Sequence, residues 1–424
     1  MSIVLADKVF PEIAAWGDEL TAIRREIHSH PELGFDTAVT VSRIVTLLKK
    51  WGIEKIDTDI VKGGVIVEID GNRPGKTVAL RADIDALPMN DCSDNSWKST
   101  IEARAHACGH DGHQTWLMAA LRYLNLKRDF PGRVIGIFQP AEELAQGALA
   151  VIKAGVLEKY GIAEIYGAPT EPMLDKGVGG FRVGPLQASS DSFWVTVHGV
   201  GTHGGRPHLG VDPIPVGAAF ISQLQTLVSR RLNPVETGVV SICSVNAGRF
   251  ETANVIPHQL TLSGTVRTFL PEVRAMFEEK LKKIVTLTAQ ANDCTADINY
   301  VHQCSAVINA EEQTRAGIDA ATKLYGAEHV VPEMTPFMSS EDFSEYQARI
   351  PGAIMRVGVR DTNHTATLHS QAFDFNDEVL PAAATLIAQI ALSRLNALAK
   401  LPAGAVLRPP RDTFPAEASH YPTG

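Results

Sequence analysis

The sequence has no excess of positive charge: 39 Lys and Arg stand against 48 Asp and Glu, a net charge of −9. A nucleic-acid binder needs a basic surface to neutralise phosphates, so that class is excluded. Cysteine is scarce. Cys92, Cys108, Cys243, Cys294 and Cys304 are widely spaced and odd in number, which suits a reducing cytoplasm better than a disulfide framework. No apolar run approaches the about 18 residues of a membrane span. The most apolar helical stretch, Leu380 to Leu392, is interrupted by Pro381, Thr385 and Gln389. The opening MSIVLADKVFPEIAAW lacks a basic region and carries Asp7, so no signal peptide is expected. Internal repeats and low-complexity blocks are missing too.

What remains is the composition of a globular protein, 45% hydrophobic and 21% charged over 424 residues, enough for roughly two or three domains. Helical patterns over 11–30 and 40–51 precede strand-like runs at 64–69, 77–81 and 133–138, with a helical stretch starting at about Asp111 between the last two. Strands alternating with helices predict an α/β domain whose sheet is covered on both faces. From about residue 187 the order becomes strand (192–198), helix (212–231), two strands (238–247 and 259–268), a helix opened by Pro271, and a strand (296–301). That β-α-β-β-α-β series is the ferredoxin-like arrangement. The expected division is therefore a catalytic domain in two parts, 1–186 and 306–400, with 187–305 inserted. The five-proline end, 401–424, reads as an extended tail.

Three stretches carry chemistry. HACGHDGH (106–113) sets a thiol and imidazoles in a loop before a helix, and these donors suit Zn²⁺ and related ions. Alternatively it is a polar helix start with hydrogen-bonded histidines. GIFQPAEELAQGA (136–148) runs an apolar strand into two adjacent glutamates. One can bind a metal while the other takes the proton of an attacking water; alternatively both favour a helix N-terminus. In LRADIDALP (80–88) a strand ends in Asp83 and Asp85, which could ligate, fix a ligand histidine's tautomer, or mark a plain turn.

With RREIHSHPELGFDT (24–37), GGRPH (204–208), NVIP (254–257), GTVRT (264–268), SEDF (340–343) and LHSQAFDF (368–375), these stretches form an ordered set over about residues 20–395. The set resembles the metal-dependent amidohydrolases that include hippurate hydrolase, N-acyl-amino-acid hydrolases and plant indoleacetyl-amino-acid hydrolases. The resemblance implies a metallohydrolase catalytic domain with a ferredoxin-like lid through which the chain forms a homodimer. It implies metal ligands Cys108, His110, Glu143 and His369, with Cys108 at the bridging position, and Glu142 as general base. Asp85, and Asp83 with it, would hold ligands from behind. His203 would stabilise the oxyanion in the partner subunit, and Asn254 and Arg267 would bind a substrate carboxylate. His28 and His30 read as structural, and His106 and His113 as supporting. His302 and His329, and the cysteines other than Cys108, carry no assigned role.

The chain also departs from this family. A further ligand histidine is usual after a short strand, but the matching run EIYGAPTEP (164–172) has Pro169 there, and no histidine lies between His113 and His198. Glu171 is the nearest substitute. One ion per subunit, Mn or Zn, is therefore favoured over two. Leu144, Ala145 and Gln146 replace glycines after Glu143, and Ser340 stands where glycine is common. A rebuilt pocket leaves three readings: an N-acyl-amino-acid amidohydrolase, a hydrolytic deaminase of an activated aromatic amine like the nitroanthranilate aminohydrolases, or a non-catalytic binder of small molecules.

Overall fold

A computed structural model describes residues 8–402. All but two residues of the expected tail, 401–424, lie outside the described residues. The chain divides into two compact units, the first made of described residues 8–186, 308–335 and 342–402, the second of 187–307 and 336–341.

The first unit is built on a six-stranded mixed sheet. Its order is Ile56–Asp57, Val65–Asp70, Pro131–Gln139, Arg73–Asp83, Ile162–Gly167, Gly352–Ile354. Arg73–Asp83 runs parallel to both neighbours, and its last residue, Asp83, pairs with Gln139. Two parallel strands thus end side by side, and their carboxyl ends deliver LRADIDALP and FQPAEE to one edge, where ligand sites form in such sheets. The strand residues Val78, Ala79 and Leu80 are buried, the continuous apolar pattern of a doubly covered sheet. Helix His110–Lys127 packs against this sheet and against helices Gly17–His28 and Leu380–Leu398, and most of its residues are buried. Leu380–Leu398 is apolar enough to cross a membrane by length and composition, but most of it lies inside the protein. It is a core helix.

The expected helix over 11–30 is broken into Pro11–Ala14 and Gly17–His28. Trp16 leaves helical geometry at the break, and the Arg122 guanidinium lies 3.9 Å from its ring. Apolar spacing alone reads through such a one-residue interruption.

The second unit has a four-stranded antiparallel sheet, ordered Gly238–Ala247, Gln259–Thr268, Ser190–His198, Thr295–Cys304. Phe193, Val195 and Val197 alternate with less buried neighbours and pack with Val216 and Phe220 of helix Pro213–Leu224 and Phe277 and Leu281 of helix Pro271–Gln290. The expected helix over 212–231 stops at Leu224 and gives way to a wider turn, Leu227–Arg231.

Candidate metal centre

Each side chain at the sheet edge is aimed by a neighbour. Gly109 opens the HACGHDGH helix at φ +82, and a Cβ there would meet Thr170 Oγ1 at 2.8 Å. Gly112 lies so close to Phe375 that a Cβ would stand 2.1 Å from the ring. These two positions need glycine, and they let the loop approach the Thr170 and Phe375 segments. His110 Nδ1 lies 2.8 Å from the Asp85 carbonyl oxygen, to which it donates. Its Nε2 is then the free nitrogen, 3.7 Å from Asp83 Oδ2, 3.8 Å from Glu143 Oε1 and 3.9 Å from Glu142 Oε2. The Asp85 carboxylate accepts the backbone N–H of Glu142 at 3.0 Å and of Glu143 at 3.2 Å. It therefore fixes both glutamates from behind, and burial raises its pKa.

The glutamate pair sits in a strained turn. Ala141 and Ala145, on either side, have φ of 55 and 52, and His369 has φ 60. Non-glycine residues in this region cost about 1 kcal/mol or more each and gather where function demands them. The next helix begins only at Gly147, so a helix dipole does not account for the two acids.

One ligand atom each from Cys108, Glu143 and His369 lies within 4.8 Å of the other two. His369 Nε2 is 3.5 Å from Glu143 Oε1, close to the about 3.4 Å that separates two ligands of a tetrahedral ion. Glu143 Oε1 is buried and faces His369 without a well-aligned hydrogen bond. Hydrogen bonds to Cys108 and Glu143 raise the His369 pKa to about 10. Burial opposes the charge of Glu143, but His369 and His110 outweigh it and lower its pKa. A thiol, a carboxylate with an unused oxygen and an imidazole drawn towards both form a donor set that fits a divalent ion.

His110 is not part of that trio. It falls into one group with Glu142 and Glu143 and into another with Asp83 and His113. The second group is committed elsewhere. His113 Nε2 accepts from the Thr170 N–H at 2.8 Å, so Nδ1 carries the proton and donates to Asp83 Oδ1 at 2.5 Å. Asp83 Oδ2 accepts from Arg81 Nη1 at 2.7 Å. Burial opposes the Asp83 charge, but His110, His113 and Arg81 hold its pKa well below the usual carboxylate range. The sequence reading missed the support beneath. Arg81 also reaches Gln139 and Asp342, and Gln139 bonds Asp342 and Tyr346. The Asp in SEDF was the available signal.

Pro169 offers only its carbonyl, which accepts from Val357 N at 2.9 Å. Glu171 is buried, and its Oε1 accepts from Met173 N at 3.0 Å. It joins none of the ligand groups among the described residues. His106 is buried with both ring nitrogens unpartnered.

The remaining predicted residues lie in the second unit. His203 is exposed, and its Nδ1 accepts from Gly205 N at 2.9 Å, leaving the proton on Nε2. Asn254 is brought beside it, because its carbonyl accepts from Gly204 N at 2.7 Å and His203 pairs with Val255. Arg267 donates from Nε to Thr265 Oγ1 at 3.2 Å and from Nη1 to Ser340 Oγ at 3.0 Å.

The chain is 37% identical to an N-acetylcysteine deacetylase of Bacillus subtilis, over 93% of this chain and 100% of the relative. It is 36% identical to the hippurate hydrolase of Campylobacter jejuni, over 92% of this chain and 100% of the relative. Among solved structures, a dinuclear metal-binding peptidase of the M20 family from Bacillus subtilis superposes with a TM-score of 0.79 at 34% identity, over 90% of this chain and 99% of that one. The family model for peptidase family M20/M25/M40 matches residues 79–393. A shared family, a shared fold and a metal-type donor set at the sheet edge lead to one conclusion: the chain belongs to peptidase family M20/M25/M40.

Proposed function

We propose that the protein hydrolyses the amide bond of a small carboxylate-bearing substrate of the N-acyl-amino-acid type, with one divalent ion, Mn or Zn, per subunit. Membership of the family makes it a metal-dependent hydrolase of carbon–nitrogen bonds. The observation that carries the reading is the Cys108–Glu143–His369 group with Glu142 held beside it by Asp85. When bound, the ion supplies Lewis-acid charge that lowers the pKa of water from about 15.7 towards 7.

In this reading Cys108, His110, Glu143 and His369 would hold the ion; His110 Nε2 already faces Glu143 at 3.8 Å. Glu142 takes the proton from the attacking water and returns it to the leaving nitrogen. His203, with its proton on Nε2, is the donor for the negative charge that develops on the carbonyl oxygen in the active site of a second copy of the chain. Arg267 and Asn254 bind the substrate carboxylate, a task for which the arginine fork is suited.

The single-ion proposal is supported by Pro169 and by the bond that turns Glu171 to Met173 N. The same loss of a ligand keeps a second reading in view, deamination of an electron-poor aromatic amine that bears a carboxylate. A homodimer is supported by strand Gly238–Ala247, which ends its sheet with residues 243–247 exposed. The five unpaired cysteines support a cytoplasmic location.

Glu142→Gln tests the mechanism. Turnover is expected to fall by about 10²–10⁴ while substrate binding persists; unchanged turnover removes Glu142 from the chemistry, and a wild-type protein that binds these substrates without turning any over is a binding protein. Hippurate, N-acyl amino acids, indoleacetyl conjugates and substituted anthranilates, followed by release of acid, phenol and ammonia, separate the two reactions.

A further inference from the structure

The motif RREIHSHPELGFDT contributes nothing to the chemistry above, yet two of its basic residues are among the most buried in the protein. Arg24 is 0% exposed and His28 2%, both on helix Gly17–His28. Arg24 Nη1 donates to Asp111 Oδ2 at 3.4 Å, and Arg24 Nε to Asp377 Oδ1 at 2.6 Å. Asp111 follows His110 in the segment that carries Cys108. Asp377 closes the segment that carries His369. Arg24 therefore joins the two ligand-bearing segments, which also meet directly through the backbone bond from His369 N to Ala107 O at 2.8 Å.

Neighbours complete the link. Arg25 Nε donates to the other Asp377 oxygen at 2.8 Å. His28 lies between two carboxylates, with Nδ1 2.7 Å from Asp111 Oδ2 and Nε2 3.1 Å from Asp91 Oδ2. Phe375 lies below the Arg24 guanidinium, 5.7 Å from ring centre to Cζ, and against Gly112. All of these belong to the first unit.

We infer that Arg24 is a positioning residue for the metal centre: it holds the Cys108 and His369 segments at the separation that lets Cys108, Glu143 and His369 meet. The ligand His369 has a strained backbone, so a segment released at Asp377 has a more relaxed conformation to move to. Outer partners that orient ligands typically change metal affinity 10–100-fold when removed. The inference rests on the reading of that trio as a metal site.

Cobalt(II) titration of the metal-free protein tests it, read by the thiolate-to-cobalt absorption band and by chelator competition. Asp377→Ala opens the link at its less buried end, and Arg24→Met removes it entirely. Leu395→Ala, which damages the same unit's core at a fully buried position outside both segments in sequence, controls for lost stability. Asp377→Ala is expected to weaken cobalt binding about tenfold or more and to alter the band, with Leu395→Ala binding as wild type does. Unchanged affinity and band in Asp377→Ala, or an equal loss in Leu395→Ala, overturns the inference. Should Arg24→Met fail to fold, Asp377→Ala still decides. Wild-type protein that takes up no cobalt defeats the metal reading itself, whereas normal wild-type binding with an unaffected Asp377→Ala defeats this inference alone.

Discussion

Pro169 is the residue that separates this chain from the donor set its motifs imply. Its carbonyl already pairs with Val357 N, so a histidine there can keep the backbone as it is and add an imidazole. Pro169→His is expected to raise the tightly bound metal from one ion per subunit to two, measured by elemental analysis of dialysed protein. A variant that still holds one ion means that proline is not what limits the count. Ser340 is the other informative substitution. With Thr265 it fixes two nitrogens of the Arg267 fork. Ser340→Ala is expected to raise KM about tenfold or more with little change in kcat, because a hydrogen bond from a charged group contributes about 1.5 kcal/mol or more. The effect should vanish for a substrate whose carboxylate is replaced by an amide. These roles differ in how far sequence reveals them. The glutamate pair, Cys108 and His369 stand in motifs whose chemistry is plain from residue type. Arg81, Asp111 and Asp342 act through buried ion pairs between distant segments, and charge alone reads as surface.

Among elements, helix Gly17–His28 carries a pH signature of its own. Burial opposes a charge on His28, but Asp111 and Asp91 raise its pKa to about 9. A raised pKa in the folded state contributes stability that is complete below the unfolded value of about 6.5 and is lost as pH rises through the folded one. The metal-free protein should therefore lose up to ~3 kcal/mol between about pH 6.5 and 9 from this group, and His28→Gln should flatten that slope in thermal unfolding. An identical slope in the variant would place the pH dependence elsewhere. Element types were largely legible, since strand runs and helical spacing follow from which faces are buried. Helix breaks at Trp16 and after Leu224 were not, because apolar spacing continues across them. The strand partners were hidden as well: that Asp83 ends beside Gln139 is a fact of register, which no local pattern carries.

At the scale of the whole molecule, the first unit carries the proposed ligands and base, and the second carries His203, Asn254 and Arg267. The latter's sheet ends at the long, uncharged strand Gly238–Ala247, an edge suited to pairing with a second copy. Val245, which is 48% exposed there, is a direct probe. Val245→Lys should shift the protein from dimer to monomer in sedimentation, and an unchanged dimer would put the interface on another face. The central claim is that one ion, held by Cys108, His110, Glu143 and His369, makes the protein a hydrolase. Titrating metal-free enzyme with Zn²⁺ or Mn²⁺ while following hydrolysis of an N-acyl amino acid tests it most directly. Activity is predicted to rise linearly and level off at one equivalent per subunit; activity that appears only as a second equivalent binds would contradict the account.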